Sequence, residues 1–92
     1  MNKIARQSVL VVDDEPDIVE EIVDALGDEG FQVYSASSVD EALTLLTENR
    51  SIETVITDLR MPVRPGTDLL FESQKMTDRN FVIILITGHG AL

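Results

Sequence analysis

The stretch Val9–Pro16 reads VLVVDDEP, and the abrupt change inside it decides the fold. The run from Ser8 to Val12 is short, continuous and mostly β-branched, as a strand buried on both faces requires. Asp13, Asp14 and Glu15 end it, and Pro16 suits the first turn of a helix, where its missing N–H costs nothing. Ile18, Val19, Ile22, Val23 and Leu26 then share one helical face, with Glu20, Glu21, Asp24 and Asp28 largely opposite and Gly27 and Gly30 flanking the expected end.

The same alternation continues outward. Phe31, Val33 and Ser35 alternate with Gln32 and Tyr34, which predicts a half-exposed strand near a sheet edge. Ser38 and Glu41 have capping-box spacing and open a second helix with Val39, Ala42, Leu43 and Leu46 inward. Thr54 to Thr57 reads as a third strand ending at Asp58, and Phe81 to Ile86 as a fourth. Two prolines and a glycine make LRMPVRPG, Leu59–Gly66, a shaped loop, after which Thr67 or Asp68 caps a third helix with Leu69, Leu70 and Met76 inward. Strands alternating with amphipathic helices imply an α/β domain, an open parallel sheet with right-handed crossovers and helices on both faces.

With 92 residues, one core is the ceiling, and residues 1–92 read as one domain. The formal net charge is -10, and no Lys or Arg occurs between Arg6 and Arg50, so nucleic acid is excluded as a partner of this segment. There is no Cys, which excludes disulfides and thiolate metal sites and fits a reducing, cytoplasmic setting. No stretch approaches the roughly 20 apolar residues of a membrane helix.

In open parallel sheets ligands sit at the carboxyl ends of the strands. Asp13 and Asp14 follow the first strand, Asp58 the third and Thr87 the fourth, so all four meet on one rim. Carboxylates brought together repel unless a cation sits among them, and an oxygen-only donor set favours a hard ion such as Mg²⁺. A carboxylate can also attack phosphorus to give an acyl phosphate, and the Thr87 hydroxyl is placed to hydrogen-bond a phosphoryl oxygen. Acidic residues before a helix are ordinary by themselves, favoured by the helix dipole; the conjunction of three strand ends carries the weight. His89, in a Gly-flanked loop, reads as a rim residue, and Arg60 and Arg64 as a solvated loop face.

VLVVDDEP, VITDLRMPVRPG and IILITG, in this order, resemble the three sequence blocks of the receiver domain of two-component response regulators, over essentially the whole chain. The resemblance implies the flavodoxin-like fold with strand order 2-1-3-4. It implies that Asp58 accepts a phosphoryl group from a histidine kinase or phosphotransfer protein, as a switch passing a signal to an output domain or effector, without being a turnover enzyme. Asp14 would bind Mg²⁺ directly, Asp13 mainly through metal-bound water, and the backbone carbonyl of Arg60 would complete the set. Thr87 would report phosphorylation, Gly88 would leave room for access, and Arg60 and His89 would tune hydrolysis. Pro65 stands where the family usually has an acidic residue, a change expected to alter the loop more than the chemistry.

The family's receiver continues for another helix, strand and helix, including a Lys that pairs with the phosphoryl group, so the resemblance implies a receiver truncated after its fourth strand, with Leu92 a boundary. An apolar edge strand left open would recruit partners, so the 92-residue species is expected to be a homo-oligomer, swapped or poorly folded. The competing reading is a phosphorylation-independent interaction module that associates through that edge. A phosphatase working through an aspartyl phosphate ranks last, because Asp58 is followed by Leu59 and Arg60 and lacks an acid two residues on.

Overall fold

The computed structural model describes residues 7–87. Its elements, in chain order, are β1 (Ser8–Val12), α1 (Pro16–Asp28), β2 (Gln32–Ala36), α2 (Val39–Glu48), β3 (Ile52–Asp58), α3 (Gly66–Ser73) and β4 (Val82–Ile86). The strands form one parallel sheet in the order β2-β1-β3-β4, as the sequence implied. All five residues of β1 are buried, because a central strand between two neighbours has both faces covered.

Leu10 and Val12 of β1, Ala36 of β2 and Ile52 and Val55 of β3 meet Val39, Ala42 and Leu46 of α2 and Leu69 of α3 in one core. Each of the Leu, Ile and Val side chains contributes about 1.5–3 kcal/mol through the area it removes from water. Val9 and Val11 alternate to the opposite face, and α1 packs on β1 and β2. Phe31 turns back through its N–H to the Leu26 carbonyl, and Gly30 makes that turn possible at φ +98°, a backbone region costly for side chains.

Some boundaries differ from those read in sequence. β3 begins at Ile52, because the ladder with β1 continues past a register shift between Ser8 and Val9. α3 is capped by neither Thr67 nor Asp68: Pro65 occupies the N-cap position in extended conformation and Gly66 is already helical. Met76 does reach the core, but from a turn beyond the end of α3, where its N–H donates to the Ser73 carbonyl. On β4, Val82, Ile84 and Leu85 are exposed, so the expected apolar edge is present among the described residues.

α2 has no basic residue in its last turn, yet its C-terminus is held. The Arg79 guanidinium donates to the carbonyls of Leu46, Asn49 (3.3 Å) and Ile52 (2.9 Å), and its carbon lies 4.5 Å from the centre of the Phe81 ring. One side chain thus joins the end of α2, the start of β3 and the approach to β4. Arg79→Gln is expected to destabilise the protein by about 2 kcal/mol in urea unfolding, because carbonyls now paired with a cation lose it. A loss below about 0.5 kcal/mol, the scale of an ordinary surface change, would show that this clamp is incidental.

Candidate functional site: an acidic rim at the strand ends

β1 and β3 are neighbours in register, Val12 opposite Thr57, so the residues that follow them arrive together at the carboxyl end of the sheet. Asp13 and Asp58 are 3% and 1% exposed, and Asp14 faces solvent. One carboxylate oxygen from each of Asp13, Asp14 and Asp58 lies within 4.8 Å of the others. Local backbone geometry orients two of them: the Glu15 N–H donates to Asp13 Oδ1 at 3.0 Å, and the Arg60 N–H to Asp58 Oδ1 at 3.2 Å.

Burial pushes the Asp13 carboxyl above its ordinary value, the Glu15 N–H pulls it back, and Asp58, Asp14 and Glu15 push it up again by repulsion. The donor set is all oxygen, part buried and part open. That is the chemistry of a hard divalent cation that keeps some of its waters, and a metal ion fits these residues. The Asp13–Asp14–Asp58 trio read from the sequence is therefore brought together.

Thr87 follows Ile86, which pairs with Asp58, and the Leu59 N–H donates to the Ile86 carbonyl at 2.8 Å. Thr87 thus stands on the same rim, exposed. Arg60 lies exposed in the loop after Asp58. Gly88 and His89 fall outside the described residues.

Three features of the site were not legible in the chain. Gly66 abuts the end of β3: a Cβ there would sit 2.1 Å from the Asp58 carbonyl oxygen, so only glycine lets the loop close. The sequence placed this glycine at the end of a shaped loop, but did not give this reason. Thr57 is fully buried and its hydroxyl donates to the Asp58 carbonyl at 3.1 Å. Arg64, read as part of a solvated loop face, is instead 28% exposed and meets carboxylates of α2 and α3. Beside it, Val63 has φ +71°, and the Arg64 N–H reaches back to the Pro62 carbonyl at 2.7 Å, a strained three-residue turn. A β-branched residue in that region costs about 1–3 kcal/mol.

No helix among the described residues is long and apolar enough to cross a membrane. The family profile described as the response regulator receiver domain matches residues 9–92. A response regulator receiver protein of Anaeromyxobacter sp. is 35% identical over 82 residues, covering 89% of this chain and 34% of that relative. The chain thus spans about a third of the length of that curated relative. A receiver domain protein of Clostridium thermocellum superposes with a TM-score of 0.82 at 44% identity, covering 90% of this chain and 66% of the other. The response regulator TrrA of Thermotoga maritima is similar in two structures. In complex with the histidine kinase ThkA, the match has TM-score 0.81 and 33% identity over 92% of this chain and 72% of the other. In complex with Mg²⁺-BeF, it has TM-score 0.79 and 31% identity over 90% and 72%. With the profile matched along nearly all of its length, the fold shared and the acidic rim assembled, the chain belongs to the response regulator receiver domain family of two-component systems.

Proposed function

We propose that the chain is a phosphoacceptor switch in which Asp58 takes a phosphoryl group from the phosphohistidine of a histidine kinase or phosphotransfer protein. The observation that carries this reading is the convergence of three carboxylates from two adjacent strand ends, with Asp58 nearly buried among them. An Asp58 oxygen forms the new bond to phosphorus as the phosphorus–nitrogen bond breaks, and the imidazole keeps the electron pair. Asp13, Asp14, Asp58 and the Arg60 carbonyl would hold Mg²⁺, which when bound neutralises charge on the transferred group. Asp14, the exposed member, would be open to direct ligation, and Asp13, buried and tied to the Glu15 N–H, would act mainly through water on the ion.

The Thr87 hydroxyl donates to a phosphoryl oxygen and reports its arrival, Gly88 leaves the donor room, and Arg60 and His89 tune hydrolysis of the acyl phosphate. The output is a change of conformation passed to an attached or separate effector in the cytoplasm, and the chain is not a turnover enzyme. TrrA, solved with a histidine kinase in one structure and with Mg²⁺-BeF in another, supports both the donor class and the cation.

A second reading, association through the β4 edge without phosphorylation, is favoured by the exposure of Val82, at 61%, and of Ile84. It predicts self-association that is indifferent to Asp58→Ala and to removal of Mg²⁺, measured by sedimentation; a strictly monomeric species would end it.

Incubation with acetyl phosphate and Mg²⁺ is expected to give an acid-stable, base-labile adduct of one phosphoryl group by mass spectrometry. Equal labelling of Asp58→Ala would remove Asp58 as acceptor.

The Asp13 shift sets a pH dependence in the metal-free protein. Because its folded value is raised, the fold binds that proton more tightly than the unfolded chain does. The stabilisation is complete below the unfolded value of 3.8 and is lost as pH rises through the higher folded value. Asp13→Asn should therefore raise the melting temperature of metal-free protein at neutral pH and diminish the further rise on adding Mg²⁺. A neutral-pH melting temperature at or below that of the parent would contradict this account of Asp13.

A further inference from the structure

The loop from Leu59 to Pro65 joins the proposed acceptor to α3 and carries the Arg60 N–H that meets Asp58. Its backbone closes through the Gly66 N–H on the Leu59 carbonyl at 3.0 Å, while its tip is strained at Val63. The Val63 side chain is 98% exposed and anchors nothing. Met61 packs on the core and supplies one anchor. The other is Arg64, whose Nη1 donates to Asp40 Oδ1 at 2.6 Å, Nε to Asp68 Oδ2 at 3.1 Å and Nη2 to Glu72 Oε2 at 3.4 Å.

These carboxylates come from two helices, Asp40 from the first turn of α2 and Asp68 and Glu72 from α3. Asp40 is 75% exposed, so the pair is an ordinary surface ion pair in stability terms and has little hold on global unfolding. Its geometric effect is local. A planar guanidinium engages several carboxylates through fixed donors, which a lysine ammonium does not reproduce.

We propose that Arg64 is a positioning residue for the acceptor site: its fork on Asp40, Asp68 and Glu72 holds the strained loop, and so keeps the Arg60 N–H on Asp58 and the Arg60 carbonyl at the cation rim. This rests on the reading of the rim as a cation-dependent acceptor. It also links the N-terminal turn of α2, distant in sequence, to the phosphorylation site, because movement of Asp40 changes what the loop is tied to.

Arg64→Lys keeps the charge and loses the fork, and Arg64→Met loses both. In metal-free full chain, amide hydrogen exchange at Arg60 and Gly66 is expected to quicken by about tenfold in both variants, with the melting temperature nearly unchanged. Calorimetric titration with Mg²⁺ is expected to show affinity weakened by about tenfold in both, the scale seen when a residue supporting metal ligands is lost. A role through charge alone makes the opposite forecast: no change for Arg64→Lys, and tighter Mg²⁺ binding for Arg64→Met, which removes a positive charge near the ion. Unchanged exchange at Arg60 and Gly66 in Arg64→Lys overturns the proposal, as does tighter Mg²⁺ binding by Arg64→Met. If the parent protein itself fails to bind Mg²⁺, the reading of the rim falls, and the exchange measurement then decides the role of Arg64 on its own.

Discussion

Two carboxylates that repel each other stand side by side because β1 and β3 run parallel and in register, Val9 to Val12 opposite Thr54, Val55, Ile56 and Thr57. The buried flanks of both strands fix this register. A slip of β3 by one residue would turn Val55 away from the core it shares with Leu10, so hydrophobic burial holds the electrostatic repulsion in place. Everything at the rim follows from that constraint: Asp13 and Asp58 both sit one step beyond the last shared pair, Val12 and Thr57, at the carboxyl end of the sheet.

The cost of the arrangement falls on the acidic rim and is offset in the layers beneath it. Asp13 is relieved in part by the Glu15 N–H and Asp58 accepts the Arg60 N–H, so the backbone just after each strand supplies donors where the charges lie. A cation would relieve the rest. Clustered acids at one rim are thus compatible with a folded protein, and their all-oxygen donor set is of the kind that suits a hard cation. The same logic explains the loop. Gly66 must lie against the Asp58 carbonyl, Val63 must turn through a left-handed conformation, and the chain is pinned at Met61 and Arg64 on either side of that strain.

Charge is distributed unevenly over the molecule. The first half contains no Lys or Arg between positions 6 and 50, so α1 and α2 present an acidic surface. The cations are gathered later in the chain and are spent on structure, Arg79 on the carbonyls at the end of α2 and Arg64 on α2 and α3. Both tie the second half of the fold back onto the first.

Sequence by itself determined the element order, the parallel sheet and the four rim residues Asp13, Asp14, Asp58 and Thr87. Those signals are local: a β-branched run that stops at an acid, an apolar face at helical spacing, and the Ser38–Glu41 cap, in which the Glu41 N–H donates to Ser38 Oγ while the Glu41 carboxylate accepts from the Ser37 N–H. Only the tertiary structure decided that Gly66 is required by the Asp58 carbonyl, that Thr57 braces the same group, that Arg64 grips Asp40 across 24 residues, and that Arg79 caps a helix 33 residues earlier. In these contacts one partner is a backbone carbonyl or the side chain of a loop residue. Neither leaves a periodic trace in a sequence, and the pairings of Arg64 and Arg79 exist only once the fold has brought distant segments together.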